Sequence, residues 1–504
     1  MSLERDNLAA NPKVWSPSLI VHKAFHGALA LGVRQALAQG LNVLGAILLA
    51  RLLSPSEFGL YAIIVFIRTF LLAFGDVGLG ASLIRRPQEP EEDDYRSIFT
   101  AQQLLVLSIF ILFWIASPLA ARLYRLPAQE AWVFRLVDIS LIFASFQVIP
   151  TIRLERSLAF YKIAIIEVTM ALAFNGSAVL LAYLGWGAMS FAWALLLRSV
   201  VGAALANIIC PWRIRWGMEW KRIREHLRFG IPYQGISFIS LLKDSIGPMF
   251  IGLLLGAAEM GYVNWANMVA VYPLLILSVL QRLYLPAFAR MQAHNDRLGE
   301  FVEKAVMATN AVVAPLAILT FVLIRPITLT VFGEKWLVAL PLFRLFWLAN
   351  IFVPTATPVM GLLNSLGRSR TTFCFAAGWM LGTWALGIPL ILVLGGVGYA
   401  LASLLVTLSA PVLFRLAQNQ VQFSIVRVVL PAWLVSAAVG LLVWILQAVW
   451  PSRSLVTLVC YGTAGLLLCT LAMRKLYSAE IAKLWTYFKE NQPSKVVTGA
   501  PHAQ

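Results

Sequence analysis

Charge is scarce in this chain. Of its 504 residues only 12% are charged, about half the share found in soluble globular domains, and that excludes a soluble enzyme with a solvated surface. Cysteine is scarce too. Cys210, Cys374, Cys460 and Cys469 form no Cys-x-x-Cys pair, so neither a disulfide framework nor a zinc ribbon is expected. The five histidines, His22, His26, His226, His294 and His502, offer no His-Glu-x-x-His spacing; no metal and no cofactor are expected. No Gly-x-x-x-x-Gly-Lys-Ser/Thr loop is present, which removes ATP hydrolysis as a driving force. The polar, basic first ~26 residues have no apolar core of a signal peptide.

Acids are the rarer sign of charge, 23 against 40 Lys and Arg, for a net +17. In a soluble protein such an excess suggests nucleic acid. Here the basic residues are spread over many short loops, as the positive-inside rule of membrane proteins requires, and no nucleic-acid partner is expected.

What the chain has in abundance is apolar sequence, 60% of it, in runs long enough to cross a ~30 Å hydrocarbon core. The runs are continuous instead of alternating, which selects helices over a barrel. The expected architecture is an all-α polytopic membrane protein with fourteen spans, at 27–52, 58–75, 98–120, 131–149, 162–183, 187–209, 230–255, 258–284, 305–329, 338–364, 371–394, 396–417, 426–449 and 455–473. With the N-terminus inside, roughly 28 cationic residues fall on the cytoplasmic side and five outside. Both termini are then cytoplasmic. The outer loops are short, which argues against a membrane polymerase or ligase. Residues 477–490 space Ile481, Leu484, Trp485 and Phe488 as one apolar face, predicting an amphipathic helix on the inner leaflet.

The chain also repeats. Leu53-Ser-Pro-Ser-Glu57-Phe-Gly59 recurs as Leu255-Gly-Ala-Ala-Glu259-Met-Gly261. Phe134-Arg-Leu136 recurs as Phe343-Arg-Leu345, and Gly185-Trp-Gly187 as Gly396-Val-Gly398. Three pairs in order predict two parallel copies of six helices. The expected organisation is a first lobe 1–209, a basic cytoplasmic linker 210–229, a second lobe 230–417, two appended spans within 418–476, and a cytoplasmic tail 477–504. Two such lobes suggest alternating access.

Ionisable residues inside the spans mark function by default. Arg135 and Asp138 stand three apart on one helix and are expected to neutralise each other. Lys243 and Asp244 are adjacent and can do so less directly. Arg34, Arg68, Arg198 and Lys243 then have too few acids, and Gln35, Gln39 and Asn42 add a polar stripe to the first helix. A net-cationic cavity predicts an anionic substrate, and arginine's planar fork suits phosphate. Glu167, Asp244 and Asp76 are the candidate proton or cation carriers, although Asp76, just before Gly78 and Gly80, also reads as a helix-end residue.

Leu48-Leu-Ala-Arg-Leu-Leu-Ser-Pro-Ser-Glu-Phe-Gly-Leu-Tyr61, followed by Phe74-Gly-Asp-Val-Gly-Leu-Gly80 and Leu83-Ile-Arg-Arg86, resembles the polysaccharide transporter (Wzx-type flippase) family. That family belongs to the multidrug/oligosaccharidyl-lipid/polysaccharide exporter superfamily. Val331-Phe-Gly-Glu-Lys-Trp336 and Leu366-Gly-Arg-Ser-Arg370 look like its second-half signatures. The resemblance implies a V-shaped pair of bundles in a bacterial inner membrane. It also implies a substrate, an undecaprenyl-pyrophosphate-linked oligosaccharide, moved between leaflets for exopolysaccharide, capsule or O-antigen synthesis. Membrane lipids, a polysaccharide polymerase and a co-polymerase are the implied partners. The extra pair of spans is similar to the lipid II flippase (MurJ) arrangement, which keeps lipid II as an alternative cargo, and a drug exporter of the same superfamily is a further alternative.

Overall fold

The computed structural model describes residues 37–86, 88–127, 130–281, 284, 288, 295–451 and 454–478. Among the described residues all regular structure is helical. Hydrocarbon offers no partner to a backbone N–H or C=O, and a helix satisfies both within itself. The expected helix at 477–490 lies almost wholly outside the described residues, as do Arg34 and Gln35.

The elements run as α1 Leu37–Leu52, α2 Pro55–Asp76, α3 Leu79–Arg85, α4 Glu92–Leu123, α5 Ala131–Ser145, α6 Val148–Arg156, α7 Phe160–Tyr183, α8 Met189–Ile209 and α9 Trp220–Ile246. After α9 come a π turn Gly247–Ile251 and a helical turn Gly252–Leu255. Next are α10 Ala257–Val271, α11 Asn295–Ile327, α12 Leu340–Ala349, α13 Val353–Ser365, α14 Ser369–Leu394, α15 Gly396–Thr407, α16 Ala410–Gln418, α17 Ile425–Val449 and α18 Leu455–Leu476.

Ten helices among the described residues are long and apolar enough to cross a membrane, and eleven if α5 and α6, bent by 41°, make one span. Of the remaining expected spans, α1 starts at the edge of the described residues. In α9 the apolar run is interrupted by charge, with Lys221, Arg222, Arg224 and Arg228 at one end and Lys243 and Asp244 near the other. The helix from Ala257 tightens into a 3-10 turn at Tyr272–Leu274, where Pro273 has no N–H to donate.

Two compact units make up the chain: Met1–Trp265 with Ala377–Ala402, and Ala266–Ala376 with Ser403–Gln504. In the first, α4, α5, α7 and α8 pack side by side. At one end Leu79, Leu83, Tyr95, Ile98, Phe99, Ile149 and Ile152 form a buried cluster. Helix α9 runs along α2: Gln234 Nε2 donates to the Ala73 carbonyl at 3.1 Å, Phe238 meets the rings of Phe70 and Phe74, and Gly230 lies against Gly78.

The repeated motifs meet inside this unit. Ser54 caps α2, its hydroxyl accepting the Glu57 N–H while the Glu57 carboxylate accepts the Ser54 N–H at 2.7 Å. Gly187 is so close to Glu57 that a Cβ there would stand 2.4 Å from Oε1, and Glu259 Oε1 accepts the Gly396 N–H at 3.1 Å. The first turns of α2 and α10 cross at their glycines. A Cβ on Gly59 would stand 1.7 Å from the Ala257 carbonyl, and one on Gly261 would stand 1.9 Å from the Pro55 carbonyl. The contact is reciprocal, each glycine meeting the residue equivalent to its partner's neighbour, which is what a local two-fold relation produces.

In the second unit α11 is the central helix, with α17, α18 and α13 packed on it. Gly440 of α17 admits Ile318 and Gly465 of α18 admits Leu319, each closer than a side chain would allow. Fully buried Asn310 ties three helices together. Its Nδ2 donates to Thr355 Oγ1 at 3.1 Å, and its Oδ1 accepts the Trp433 indole N–H at 2.9 Å.

Candidate functional site

Helix α2 rises from its Ser54 cap, and its apolar face, Phe58, Leu60, Ile63, Ile64 and Ile67, is buried. That packing fixes the rotation of the helix and directs Arg68 toward α8. There Arg68 Nη2 donates to Ser199 Oγ at 3.3 Å. Ser199 follows Arg198 in the chain, and the Arg198 guanidinium lies over the Phe174 ring of α7, 5.9 Å from its centroid. Tyr61 stacks on Phe191 at 4.0 Å within the electrostatic reach of both arginines. Each arginine keeps a buried Nε without a hydrogen-bond partner among the described residues.

Two of the sequence-predicted cations are therefore brought together, from positions 131 residues apart in the case of the Arg68–Ser199 bond. Like charges that face each other in low dielectric repel, and an anion between them would relieve that repulsion. No acid among the described residues forms an ion pair with either.

The other expected site residues are placed as follows. Asn42 accepts from Asn175 Nδ2 at 3.0 Å, joining α1 to α7, and Gln39 is half-buried one turn earlier. Glu167 is exposed on α7. Lys243 and Asp244 lie near the end of α9. Asp76 ends α2, and its Oδ1 accepts the Gly80 N–H at 3.3 Å across a turn in which Val77 and Gly78 both take positive φ, 45° and 73°. It also lines a cavity of about 160 Å³ with Gln102 and Ser145.

The expected Arg135–Asp138 pair does not form. Arg135 Nε donates to Ser117 Oγ at 3.2 Å, and the guanidinium lies over Trp114 and Trp132, 5.1 and 4.9 Å from the centroids. Helical side chains lean toward the N-terminus of their helix. Arg135 therefore reaches back to Trp132, three residues earlier, and away from Asp138. Asp138 is left 0% exposed, and neither of its oxygens has a hydrogen-bond partner among the described residues.

Charge counting also missed what the basic stretch 210–229 does. Its end is clamped to the acidic start of α4. Arg222 bonds Asp94 at 2.8 Å, Glu91 at 2.9 Å and Glu219 at 2.7 Å, while Arg86 reaches the other Asp94 oxygen at 2.8 Å. The three acids hold the Arg222 guanidinium above its ordinary value. Nearby, His226 Nδ1 pairs with Ser82 Oγ at 2.8 Å, and burial pushes the imidazole below its usual value against the pull of Asp94. Trp212 and Trp216 pack on Phe99. The sequence signal was Glu91-Glu-Asp-Asp94, a rare acidic run facing a basic stretch.

A family model described as "Polysaccharide biosynthesis protein" matches residues 48–341. The chain belongs to that family. It is 26% identical over 339 residues to the succinoglycan biosynthesis transport protein ExoT of Rhizobium meliloti (strain 1021), covering 67% of this chain and 68% of the relative. It is 24% identical over 361 residues to the lipopolysaccharide biosynthesis protein WzxC of Escherichia coli (strain K12), covering 70% and 72%. Its fold is similar to that of the lipid II flippase MurJ in an inward closed conformation, with a TM-score of 0.75, 15% identity, and 91% and 100% of the two chains covered.

Proposed function

We propose that this protein is a flippase that carries a lipid-linked oligosaccharide with a pyrophosphate headgroup from the inner to the outer leaflet of a bacterial inner membrane, for exopolysaccharide, capsule or O-antigen synthesis. The observation that carries this reading is the convergence of Arg68 and Arg198 without a carboxylate. Paired guanidiniums in a low-dielectric interior are an anion site, and two forks match the oxygens of a pyrophosphate. Arg34 and Lys243 are further candidates for holding the headgroup, and Gln35, Gln39 and Asn42 are candidates for hydrogen bonds to sugar hydroxyls. The lipid tail stays in hydrocarbon while the headgroup crosses.

The transport cycle is alternating access between two parallel six-helix lobes, 1–209 and 230–417, joined through the 210–229 linker. Two appended spans complete fourteen, with both termini cytoplasmic. The reciprocal Gly59–Gly261 crossing supports the two-fold part of this reading. No covalent chemistry on the cargo is required. Glu167, Asp244 and Asp76 are candidate coupling groups. A polymerase and co-polymerase act on the delivered unit. The names of the transport relatives point the same way.

The test is complementation of a strain lacking its own flippase for the repeat unit. The intact chain restores surface polysaccharide; Arg68→Ala and Arg198→Ala, at equal membrane abundance, do not. Full export by both variants overturns the assignment of the anion site.

A further inference from the structure

Asp138 is an ionisable group that the anion site does not use. It sits in the second turn of α5, a helix packed between α4 and α8 and touching α2. Its side chain is fully buried, and both carboxyl oxygens are without a hydrogen-bond partner among the described residues. An ionised carboxylate with no donor and no cation is not sustained in such a place; the group takes up a proton instead. The titratable groups on the packed elements are Glu92, Asp93, Asp94, Tyr95, Arg96 and Arg122 on α4 with Tyr124 just after it, Glu57, Tyr61, Arg68 and Asp76 on α2, and Arg198 on α8, and none of them bonds to Asp138. On its own helix Arg135 stands three residues away, half-buried, held by Ser117 Oγ and the faces of Trp114 and Trp132.

We propose that Asp138 is a proton-binding site and that Arg135 is its counter-ion in the deprotonated state, so that proton occupancy sets where Arg135 rests. In the protonated state Asp138 is a neutral acid, and Arg135 is parked in the tryptophan cradle, as seen here. On release the Asp138 O–H bond breaks, the proton passes to water at the boundary that half-buried Arg135 marks, and the electron pair stays on the carboxylate. Arg135 then turns from Trp132 toward Asp138, a spacing at which helical side chains meet, and the new carboxylate–guanidinium pair is neutral. Leaving the cradle loosens α5 from Trp114 of α4, which links proton binding to helix packing. Proton binding stands apart from any cargo; the further step, that it drives export, rests on the transport reading above.

The experiment uses the purified full-length chain in lipid nanodiscs. Infrared difference spectra between acid and alkaline buffer report protonated carboxyl groups, and labelling by a hydrophobic carbodiimide, located by mass spectrometry, reports which residue reacts. The expected result is a carboxyl band that titrates in the intact chain, is missing in Asp138→Asn, and coincides with a carbodiimide adduct on Asp138 at acid pH. Arg135→Gln keeps the band but moves its loss to higher pH by about one unit or more, tenfold in proton affinity, because the ion has lost its partner; Arg135→Lys restores most of the shift. Asn replaces the neutral acid at nearly the same size, so Asp138→Asn retains the fold, checked by thermal unfolding. A band unchanged in Asp138→Asn, or a titration indifferent to Arg135→Gln, overturns the proposal even where the chain exports polysaccharide. A chain that titrates Asp138 as expected but restores no export upholds the proton site and overturns the transport reading.

Discussion

Two buried polar sites, one in each unit, are built in opposite ways. In the second, Asn310 is neutral, and both ends of its amide are used, by Thr355 and Trp433. In the first, Arg68 and Arg198 leave buried nitrogens unpaired, and Asp138 leaves a whole carboxyl unpaired. A satisfied neutral hub stabilises and specifies packing. An unsatisfied charge in hydrocarbon costs stability and is kept where something transient, such as a ligand or a proton, completes it. The contrast fits an architectural role for the Asn310 region and the anion site proposed above for the Arg68–Arg198 region.

The contrast can be broken most sharply at Arg68. Arg68→Glu is expected to abolish surface polysaccharide in the complementation assay, because a buried anion repels phosphate. Arg68→Ala should weaken headgroup binding by about 2 kcal/mol or more, roughly thirtyfold, and Arg68→Lys should retain part of it by keeping the charge without the fork. Equal export by all three would place the site elsewhere. Asn310→Ala is expected to behave in the other way. It strands Thr355 and Trp433 and should cost about 1–3 kcal/mol, read as a lowered Tm, while export per folded molecule stays normal. Loss of export in a fully folded Asn310→Ala would collapse the distinction between the units.

Smaller effects sharpen the picture at the ends of the first unit. Gly261→Ala must push the first turns of α2 and α10 apart, since a Cβ would stand 1.9 Å from the Pro55 carbonyl. The expected cost is about 1–3 kcal/mol of overpacking, and hydrogen exchange should rise at residues 55–61 and 257–263. No change there would remove the crossing from the account.

The smallest effect is expected at the Arg222–Asp94 clamp. His226 has a folded-state value below its unfolded one, so its contribution is present above the unfolded value and is lost as pH falls through the folded value. The groups acting on it are Asp94, Arg86, Glu225 and Arg222. Mild acid should speed exchange at residues 217–226, and His226→Gln should flatten that dependence. An equally steep response in the variant would assign it to another group.

Most of the fold class was legible because it depends on local quantities. Apolar runs, the Ser54–Glu57 capping box and the break at Val77–Gly78 follow from residues within a few positions of one another, whereas the 3-10 turn at Tyr272–Leu274 interrupts a segment expected as one span over 258–284. The paired motifs around Glu57 and Glu259 also marked real contacts, with Gly187 and Gly396. Of the candidate site, the excess of intramembrane arginines was legible, and so was the turn role of Asp76. The Arg135–Asp138 pair was misread because i, i+3 spacing says that two side chains share a face and does not say which way each one leans.

The sequence by itself determined the membrane class, the helices and the excess of intramembrane cations. These depend on composition and on the fixed rise and period of a helix. Only the tertiary structure decided which cations meet, which acid is left alone, and that Arg222 in the first turn of α9 is clamped to Asp94. Those outcomes turn on the rotation of each helix about its axis, and that rotation is set by packing between helices, across 18 positions for Arg135–Ser117 and 131 for Arg68–Ser199.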